Sequence, residues 1–243
     1  MPAFARLATL AALAVLLAGC RMTLTNRIDV NDDGSALVHV VIALDDQLYA
    51  YSLTSNGKEP LAQAASTPGW AMTRRIAPNG DHVIEWTKRA GTLDDIKPVL
   101  TSFYDAAKKS SAAKTPSGIV PASWTIRADQ RPGLFTKTVH LQIGVPSMLP
   151  AKNTTPAAAL MASMFIFNTE LKLPGKIVST NGEQLADGTI RFTQSLAAPS
   201  KIDVVAEVTD YGHIVLAVVI VCGIVVIVAA GMRRRRTRVP AAA

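Results

Sequence analysis

The residue with the most definite chemistry in this sequence is Cys20, whose thiol follows small residues at the end of an uncharged run. Residues 7–17 are rich in Ala and Leu, Arg6 precedes them, and Leu-Ala-Gly-Cys closes the segment. This order is typical of a secretory signal peptide with a lipobox, in which an acyl chain such as palmitate is attached to the cysteine. We therefore predict a signal peptide at 1–19 and lipidation at Cys20. The alternative is an ordinary signal peptide or an uncleaved anchor with an incidental cysteine.

A second group of side chains offers apolar contact instead of reactivity. Ligand sites are mostly apolar concavities with a few polar groups, so aromatic and methionine side chains could line a groove that accepts lipid. The alternative is that they simply build the hydrophobic core. The candidates are Trp70, Trp86, Phe103, Tyr104, Trp124, Met161, Phe165 and Phe167.

Residues 29–34, Asp-Val-Asn-Asp-Asp-Gly, match the opening of a calcium-binding loop. The twelfth position of such a loop should carry a bidentate Glu, and here it is Val40. The flanking residues also alternate as strands do, whereas the calcium loop lies between helices. A hairpin turn rich in Asn, Asp and Gly explains the same residues, and we predict no metal site.

Neither the histidines nor the glycine-rich segments carry a signature of catalysis. The four histidines show no ligand spacing such as H-x-x-x-H, and His39 and His140 fall on the polar face of predicted strands, where a solvated imidazole is expected. The sequence contains no G-x-S-x-G, G-x-x-x-x-G-K or G-x-G-x-x-G motif. We predict a non-enzymatic protein without a cofactor; a hydrolase built from scattered carboxylates is the alternative.

The C-terminal part of the chain predicts a membrane span. Residues 211–232 are 22 residues without Asp, Glu, Lys or Arg, and a helix of that length rises about 33 Å, enough to cross a bilayer core of about 30 Å. Positive flanks stay cytoplasmic, so the tail at 233–243 is expected inside and the segment 20–210 outside. The topogenic residues are Arg233, Arg234, Arg235 and Arg236.

Charge and cysteine usage exclude two classes of function for the exported segment. The formal charge is +7, but of 25 Lys and Arg one lies in the signal peptide and five in the tail, which leaves 19 against 18 Asp and Glu. This balance cannot supply the positive field that nucleic-acid binding needs. The two cysteines are Cys20 and Cys222, so neither a disulfide nor a thiolate metal site is expected between them.

The exported segment must position these residues on a mixture of strands and helices. Period-two apolar residues on both sides of a turn at 31–34 predict a β-hairpin, and helical spacing predicts a helix from Asp45 to Leu53. A capping signal at 92–95 before an apolar stripe predicts a second helix from Ile96 to Ala107, followed by a mobile loop at 108–118. Further strands are predicted at 82–86, 124–127, 135–145, 169–173, 176–179, 189–195 and 202–208.

One segment does not fit this pattern. Residues 157–167 are 11 uncharged residues, too few to span a bilayer, and they suggest a buried or interfacial helix. The fold class predicted from all these elements is a single α+β domain at 20–210 with an antiparallel or mixed sheet and a few helices.

The order of several features resembles the LppM family of actinobacterial envelope lipoproteins. These features are the lipobox, the sequence Asp-Val-Asn-Asp-Asp-Gly-Ser at 29–35, and Leu-Pro-Gly-Lys-Ile-Val-Ser-Thr-Asn-Gly at 173–182, followed by a membrane helix and an arginine cluster. The resemblance covers nearly the whole chain. It implies an exported body similar to the BON fold that binds membrane lipids or glycolipids of the phosphatidylinositol mannoside type, and it supplies no catalytic residues or ligand contacts.

Taken together, the residues and the resemblance predict a membrane-anchored, non-enzymatic lipid or glycolipid binder on the outer side of the cytoplasmic membrane. The alternative is a scaffold that docks a membrane-protein partner through residues 148–168 or through the helix at 211–232.

Overall fold

The computed structural model describes residues 21–56, 68–110, 124–133, 136–145, 147, 165–195, 198–209, 219–220 and 222. The described part of residues 21–209 forms eleven strands and two α-helices and belongs to the α+β class, as predicted. The helices are α1 (Asp46–Asn56) and α2 (Ile96–Ser110). The strands are β1 (Met22–Val30), β2 (Ala36–Leu44), β3 (Ala71–Ile76), β4 (His82–Ala90), β5 (Thr125–Pro132), β6 (Thr136–Val145), β7 (Phe165–Lys172), β8 (Lys176–Thr180), β9 (Glu183–Gln184), β10 (Ile190–Gln194) and β11 (Ser200–Thr209).

The larger of two sheets has the strand order β3-β4-β2-β1-β7-β10-β9. The predicted hairpin is confirmed: β1 and β2 pair antiparallel, with Leu24 opposite Ile42. At its turn Gly34 has φ +83°, a left-handed conformation that glycine adopts without steric cost. Strand β7 pairs with β1 in parallel, and the other neighbours run antiparallel, so the sheet is mixed.

The smaller sheet has the order β5-β6-β11-β8 and is antiparallel throughout. Near the end of the domain the chain passes between the sheets three times, from β7 to β8, from β8 to β9 and from β10 to β11. The first passage requires Gly175, with φ +82°, because any side chain there would collide with the backbone carbonyl of Glu207. The inner faces of the two sheets therefore share one hydrophobic core.

Helix α2 covers the inner face of the larger sheet. The predicted start signal is present, since the Asp95 carboxylate accepts hydrogen bonds of 2.9 Å from both the backbone N–H and the hydroxyl of Thr92. The helix packs against β2, β4 and β5, and one stripe of its side chains is buried. That stripe consists of Ile96, Val99, Leu100, Phe103, Tyr104 and Ala107.

Three sequence interpretations need correction. The helix predicted at 157–167 is wrong for its last three residues. Residues 165–167 begin strand β7, which pairs in parallel with β1. A short apolar run does not by itself distinguish a buried strand from a buried helix. Residues 108–110 belong to α2 and not to a loop, and strand β3, whose side chains are mostly exposed, was not predicted.

The predicted anchors fall largely outside the described residues. The signal peptide at 1–19, Cys20 and the arginines of the tail lie outside them, as does the segment 211–232 except for residues 219, 220 and 222. Of the helices that are described, none combines the length and the apolarity needed to cross a membrane.

Candidate functional site

A continuous row of aromatic rings crosses the core between helix α2 and the larger sheet. Adjacent ring centroids lie 5.0 to 6.3 Å apart, within the range in which aromatic pairs attract each other. Every ring in the row is at most 8% exposed. This aromatic row consists of Trp70, Trp86, Phe103, Tyr104, Trp124 and Phe167.

Two adjacent residues of α2 join the halves of the aromatic row. Phe103 lies 5.0 Å from the Trp70 ring and 5.4 Å from the Trp86 ring on β4. Tyr104 lies 6.3 Å from Trp124, which precedes β5. Successive helical residues point about 100° apart. Phe103 therefore contacts β4, while Tyr104 contacts β1 through Asn26. From Trp124 the row continues to the β7 phenylalanine at position 167, 6.0 Å away.

Among the residues that the structure describes, five buried polar atoms beside these rings have no hydrogen-bond partner. They are the indole Nε1 atoms of Trp70, Trp86 and Trp124, the amide Nδ2 of Asn26 and the amide Oε1 of Gln194. Leaving one buried donor or acceptor unpaired costs about 1–3 kcal/mol, and native proteins contain few such groups. Their concentration along one row distinguishes this part of the core from ordinary packing.

The other polar atoms beside the row are paired. The Tyr104 hydroxyl donates to Asn26 Oδ1 at 2.7 Å, and Gln194 Nε2 donates to Thr169 Oγ1 at 3.0 Å. Burial raises the pKa of Tyr104 far above its ordinary value, against the opposing effect of the bond to Asn26. The tyrosine is therefore a fixed, neutral hydrogen-bond donor.

The remaining lipid-contact candidates are Phe165 and Met161. Phe165 is half-buried and lies two residues before Phe167 on the same face of β7, so it extends the row towards the surface. Met161 lies outside the described residues. The structure thus brings six of the predicted aromatic side chains into direct succession and places them in the core.

The outward face of the larger sheet carries charges whose arrangement the sequence did not reveal. On β1, Arg27 Nε donates to Asp29 Oδ1 at 2.9 Å. On β2, His39 stands between two carboxylates, with Nδ1 2.7 Å from Glu85 Oε1 on β4 and Nε2 3.6 Å from Asp29 Oδ2. We call these four residues the charge chain. Because the His39 side chain is only 13% exposed, the expectation of a solvated imidazole is wrong there.

The alternation of sign continues across the next two strands. Arg27 stands opposite Glu170 in the register of β1 and β7, and Arg191 on β10 donates to Glu170 Oε1 at 2.9 Å through Nε. The period-two pattern places these residues on the outward face, but only the strand order shows which charges become neighbours.

The charge chain shifts two pKa values in opposite directions. Burial alone would raise the pKa of Asp29, but His39 and Arg27 outweigh it and lower that pKa to about 2. Burial would lower the pKa of His39, but the carboxylates of Asp29 and Glu85 outweigh it and raise that pKa. Both shifts therefore favour the charged form of the group.

A second ion cluster lies on the outward face of the smaller sheet. His140 Nε2 lies 2.7 Å from Asp203 Oδ1, and Gln142 Nε2 donates to Asp203 Oδ2 at 2.9 Å. The bond to His140, with help from Lys201, lowers the pKa of Asp203. In the described ranges, no three His, Cys, Asp or Glu side chains converge as metal ligands would.

Comparison with known proteins gives one structural similarity. No protein-family model matches the sequence, and no curated protein matches it. The NMR structure of the folded domain of LppM from Mycobacterium tuberculosis is similar with a TM-score of 0.47 and 12% sequence identity, over 79% of this chain and 92% of that one. A TM-score below 0.5 supports no conclusion about function, which must come from the residues of this chain.

Proposed function

We propose that this protein is a membrane-anchored, non-enzymatic binder of lipids or glycolipids whose main domain lies on the outer side of the cytoplasmic membrane. The observation that supports this proposal is the aromatic row with its five unpartnered polar atoms. Acyl chains match the apolar faces of the rings. Ester, phosphate or sugar oxygens match the unpartnered N–H groups.

The balance of donors and acceptors narrows the ligand class. Four of the five unpartnered groups donate, namely the three indoles and the Asn26 amide, and only Gln194 Oε1 accepts. A plain hydrocarbon would leave all of them unpaired in an apolar setting, at an unfavourable free energy. A lipid rich in acceptor oxygens with at least one hydroxyl, such as a glycerolipid or a glycolipid, satisfies both kinds of group.

The strand register suggests where such a ligand enters. The half-buried Phe165 stands opposite Met22 at the first position of both strands. Met22 is two residues after Cys20, the predicted lipidation site. The end of the row that approaches the surface would therefore lie beside the predicted membrane attachment, which would give acyl chains a short path from the bilayer to Phe167.

Tryptophan fluorescence tests this proposal directly, because all three tryptophans of the chain belong to the aromatic row. The full chain in detergent micelles would be titrated with phospholipids brominated on their acyl chains. We expect saturable quenching, because bound bromine atoms would contact the indoles. Quenching that does not saturate, or no quenching at all, would contradict lipid binding in the interior. The alternative, a scaffold that docks a membrane-protein partner, would then be favoured.

A matched pair of substitutions on β10 identifies the site. Gln194→Leu removes the inward bond to Thr169, and Thr193→Val removes an outward bond of equal length, 3.0 Å, to Asn168. Only Gln194 faces the row, so we expect Gln194→Leu to weaken the brominated-lipid titration several-fold and Thr193→Val to leave it unchanged. Equal effects would mean that the inward polar atom plays no part in binding.

The anchoring part of the proposal has its own test. Cys20→Ala should abolish the acyl mass on the protein yet leave it in the membrane fraction, because a spanning helix at 211–232 is sufficient for retention. Release of this variant into the soluble fraction would show that the C-terminal segment does not anchor the chain.

A further inference from the structure

We infer that one end of the larger sheet docks on the phosphate layer of an anionic lipid bilayer through Arg75 and Ile76. We call this the anchor end, and it is the end at which β1 begins. The inference rests on the membrane anchoring proposed above but is independent of lipid binding in the aromatic row.

The strand register defines the anchor end. Met22 stands opposite Leu44, Leu44 opposite His82, and His82 opposite Ile76, so these residues form one line across β1, β2, β4 and β3. Three strand spacings of about 4.8 Å place Ile76 about 14 Å from Met22. The edge strand β3 therefore ends on the same side of the domain as the first residues after Cys20.

The residue that follows Cys20 is fixed to this end by its backbone. The Arg21 N–H donates to the Asp45 carboxylate, and the Asp45 N–H donates to the Arg21 carbonyl at 3.3 Å. Asp45 also caps helix α1, since its Oδ1 accepts from the Leu48 N–H at 2.7 Å. A lipid on Cys20 would thus enter the bilayer directly beside α1 and the anchor end.

The exposed side chains at the anchor end suit the boundary between headgroups and acyl chains. Ile76 is 67% exposed, and Arg75 beside it is also exposed. Together with Tyr49 and His82 they line a crevice of about 170 Å³. A guanidinium binds phosphate oxygens in pairs, while an exposed aliphatic side chain gains by leaving water for the acyl boundary.

Carboxylates distinguish the two ends of the sheet. At the anchor end the carboxylates Asp45, Asp46 and Asp81 each have a partner: Asp45 accepts from the Arg21 N–H, Asp46 lies 2.8 Å from His82, and Asp81 accepts from the Asn79 amide at 2.8 Å. The opposite end has four carboxylates in its turns, Asp32 and Asp33 in one turn and Asp94 and Asp95 in another. Arg89 lies 3.7 Å from Asp33. An anionic surface repels that opposite end and attracts Arg75 and Arg21, so electrostatics and tethering favour the same orientation.

Hydrogen exchange of the full chain in nanodiscs tests this orientation. Discs of phosphatidylcholine alone would be compared with discs that also contain phosphatidylglycerol. We expect several-fold slower exchange of the Ala71–Ile76 amides in the anionic discs, and loss of that difference at high salt, because surface charge is screened within a few ångströms at 1 M. Equal exchange in both discs, or slowing at residues 31–35 instead, would overturn the inference.

Two pairs of substitutions and a phosphate control test whether the anchor end binds a lipid surface specifically. Arg75→Gln with Ile76→Ser should abolish the difference, whereas Arg131→Gln with Val178→Ser, at positions 80% and 60% exposed on the smaller sheet, should preserve it. Loss in both pairs would contradict a specific surface. Inorganic phosphate added to neutral discs should not slow exchange; if it does, the site binds free phosphate and the inference is wrong.

The two experiments together distinguish this inference from the proposed function. Tryptophan quenching by brominated lipid reports on the aromatic row, and exchange at β3 reports on the anchor end. Quenching without protection of β3 would refute the docking surface alone. Protection of β3 without saturable quenching would refute interior lipid binding alone.

Discussion

The two faces of the larger sheet differ in how their buried polar groups are paired. On the outward face, the half-buried charges of the charge chain pair with one another, from Glu85 through His39 and Asp29 to Arg27, and only His39 Nε2, 3.6 Å from Asp29 Oδ2, lies beyond hydrogen-bond distance. On the inward face, the Nδ2 of the fully buried Asn26 has no partner among the described residues. The indole N–H groups beside it have none either. The same strands β1, β2 and β4 support both faces.

This difference separates what stabilises the domain from what it can bind. Groups that already satisfy each other have little to gain from a ligand. Unpaired groups in an apolar setting gain the full free energy of a hydrogen bond when a partner arrives. The aromatic row is therefore the better candidate for binding, although the charge chain has the more conspicuous residues.

The largest expected effect that tests this comparison comes from Phe103→Ala. Phe103 is fully buried and contacts Trp70, Trp86 and Tyr104, so its removal should lower the free energy of unfolding by about 3–5 kcal/mol. The matched change on the outward face is Leu37→Ala, at a position 38% exposed, which should cost about 1 kcal/mol or less. Urea unfolding of the full chain in micelles gives both values. Similar losses would mean that the two faces do not differ in packing.

Elements whose signals are local could be predicted from the sequence. The β1–β2 hairpin follows from alternation around a turn, and α2 follows from Thr92, Asp95 and one apolar stripe. Strand β7 could be predicted only in its second half, at 169–173, because residues 165–167 are uniformly apolar and the partner strand β1 lies far away in the chain and runs parallel. Strand β3 could not be predicted, since it is an edge strand held by pairing to β4 and buries little.

The candidate site likewise could be predicted only in part from the sequence. Composition was sufficient to nominate the tryptophans, because aromatic residues make up only 5% of the chain. Composition could not show that Phe103 and Tyr104 link them into one row, or that Asn26 and Gln194 supply the polar atoms. Those contacts depend on the strand order, which no local pattern contains.

A smaller effect is expected from Tyr104→Phe. This change removes the hydroxyl that donates to Asn26 Oδ1, so the Asn26 side chain would lose the partner of its oxygen while its Nδ2 is already unpaired. We expect destabilisation by about 1–3 kcal/mol. The control is Ser102→Ala on the same helix, which removes a bond to the Val99 carbonyl at a partly exposed position and should cost a few tenths of a kcal/mol. A neutral Tyr104→Phe would show that water already satisfies Asn26.

Acid should weaken the outward face through Asp29. Its pKa is about 2 in the folded chain against an ordinary value of 3.8, so its contribution is present above pH 3.8 and is lost as the pH falls towards 2. The shift corresponds to about 2 kcal/mol, which we reduce to about 1 kcal/mol because the side chain is a quarter exposed and screened. The difference in unfolding free energy between wild type and Asp29→Asn should therefore shrink on acidification. A constant difference would contradict the assignment, and Asp129→Asn, which breaks an exposed pair with Arg131, should show little difference at any pH.

The smallest effect should appear on the alkaline side, through His39. The carboxylates of Asp29 and Glu85 raise its pKa in the folded chain, against the effect of burial. A raised pKa means that its contribution is complete below the ordinary value of 6.5 and is lost as the pH rises through the folded value. His39→Gln can still form a hydrogen bond with Glu85 but cannot be charged, so its unfolding midpoint should change less than that of wild type between about pH 6 and about pH 9. Parallel curves for wild type and His39→Gln would show that the charge chain does not depend on an imidazolium.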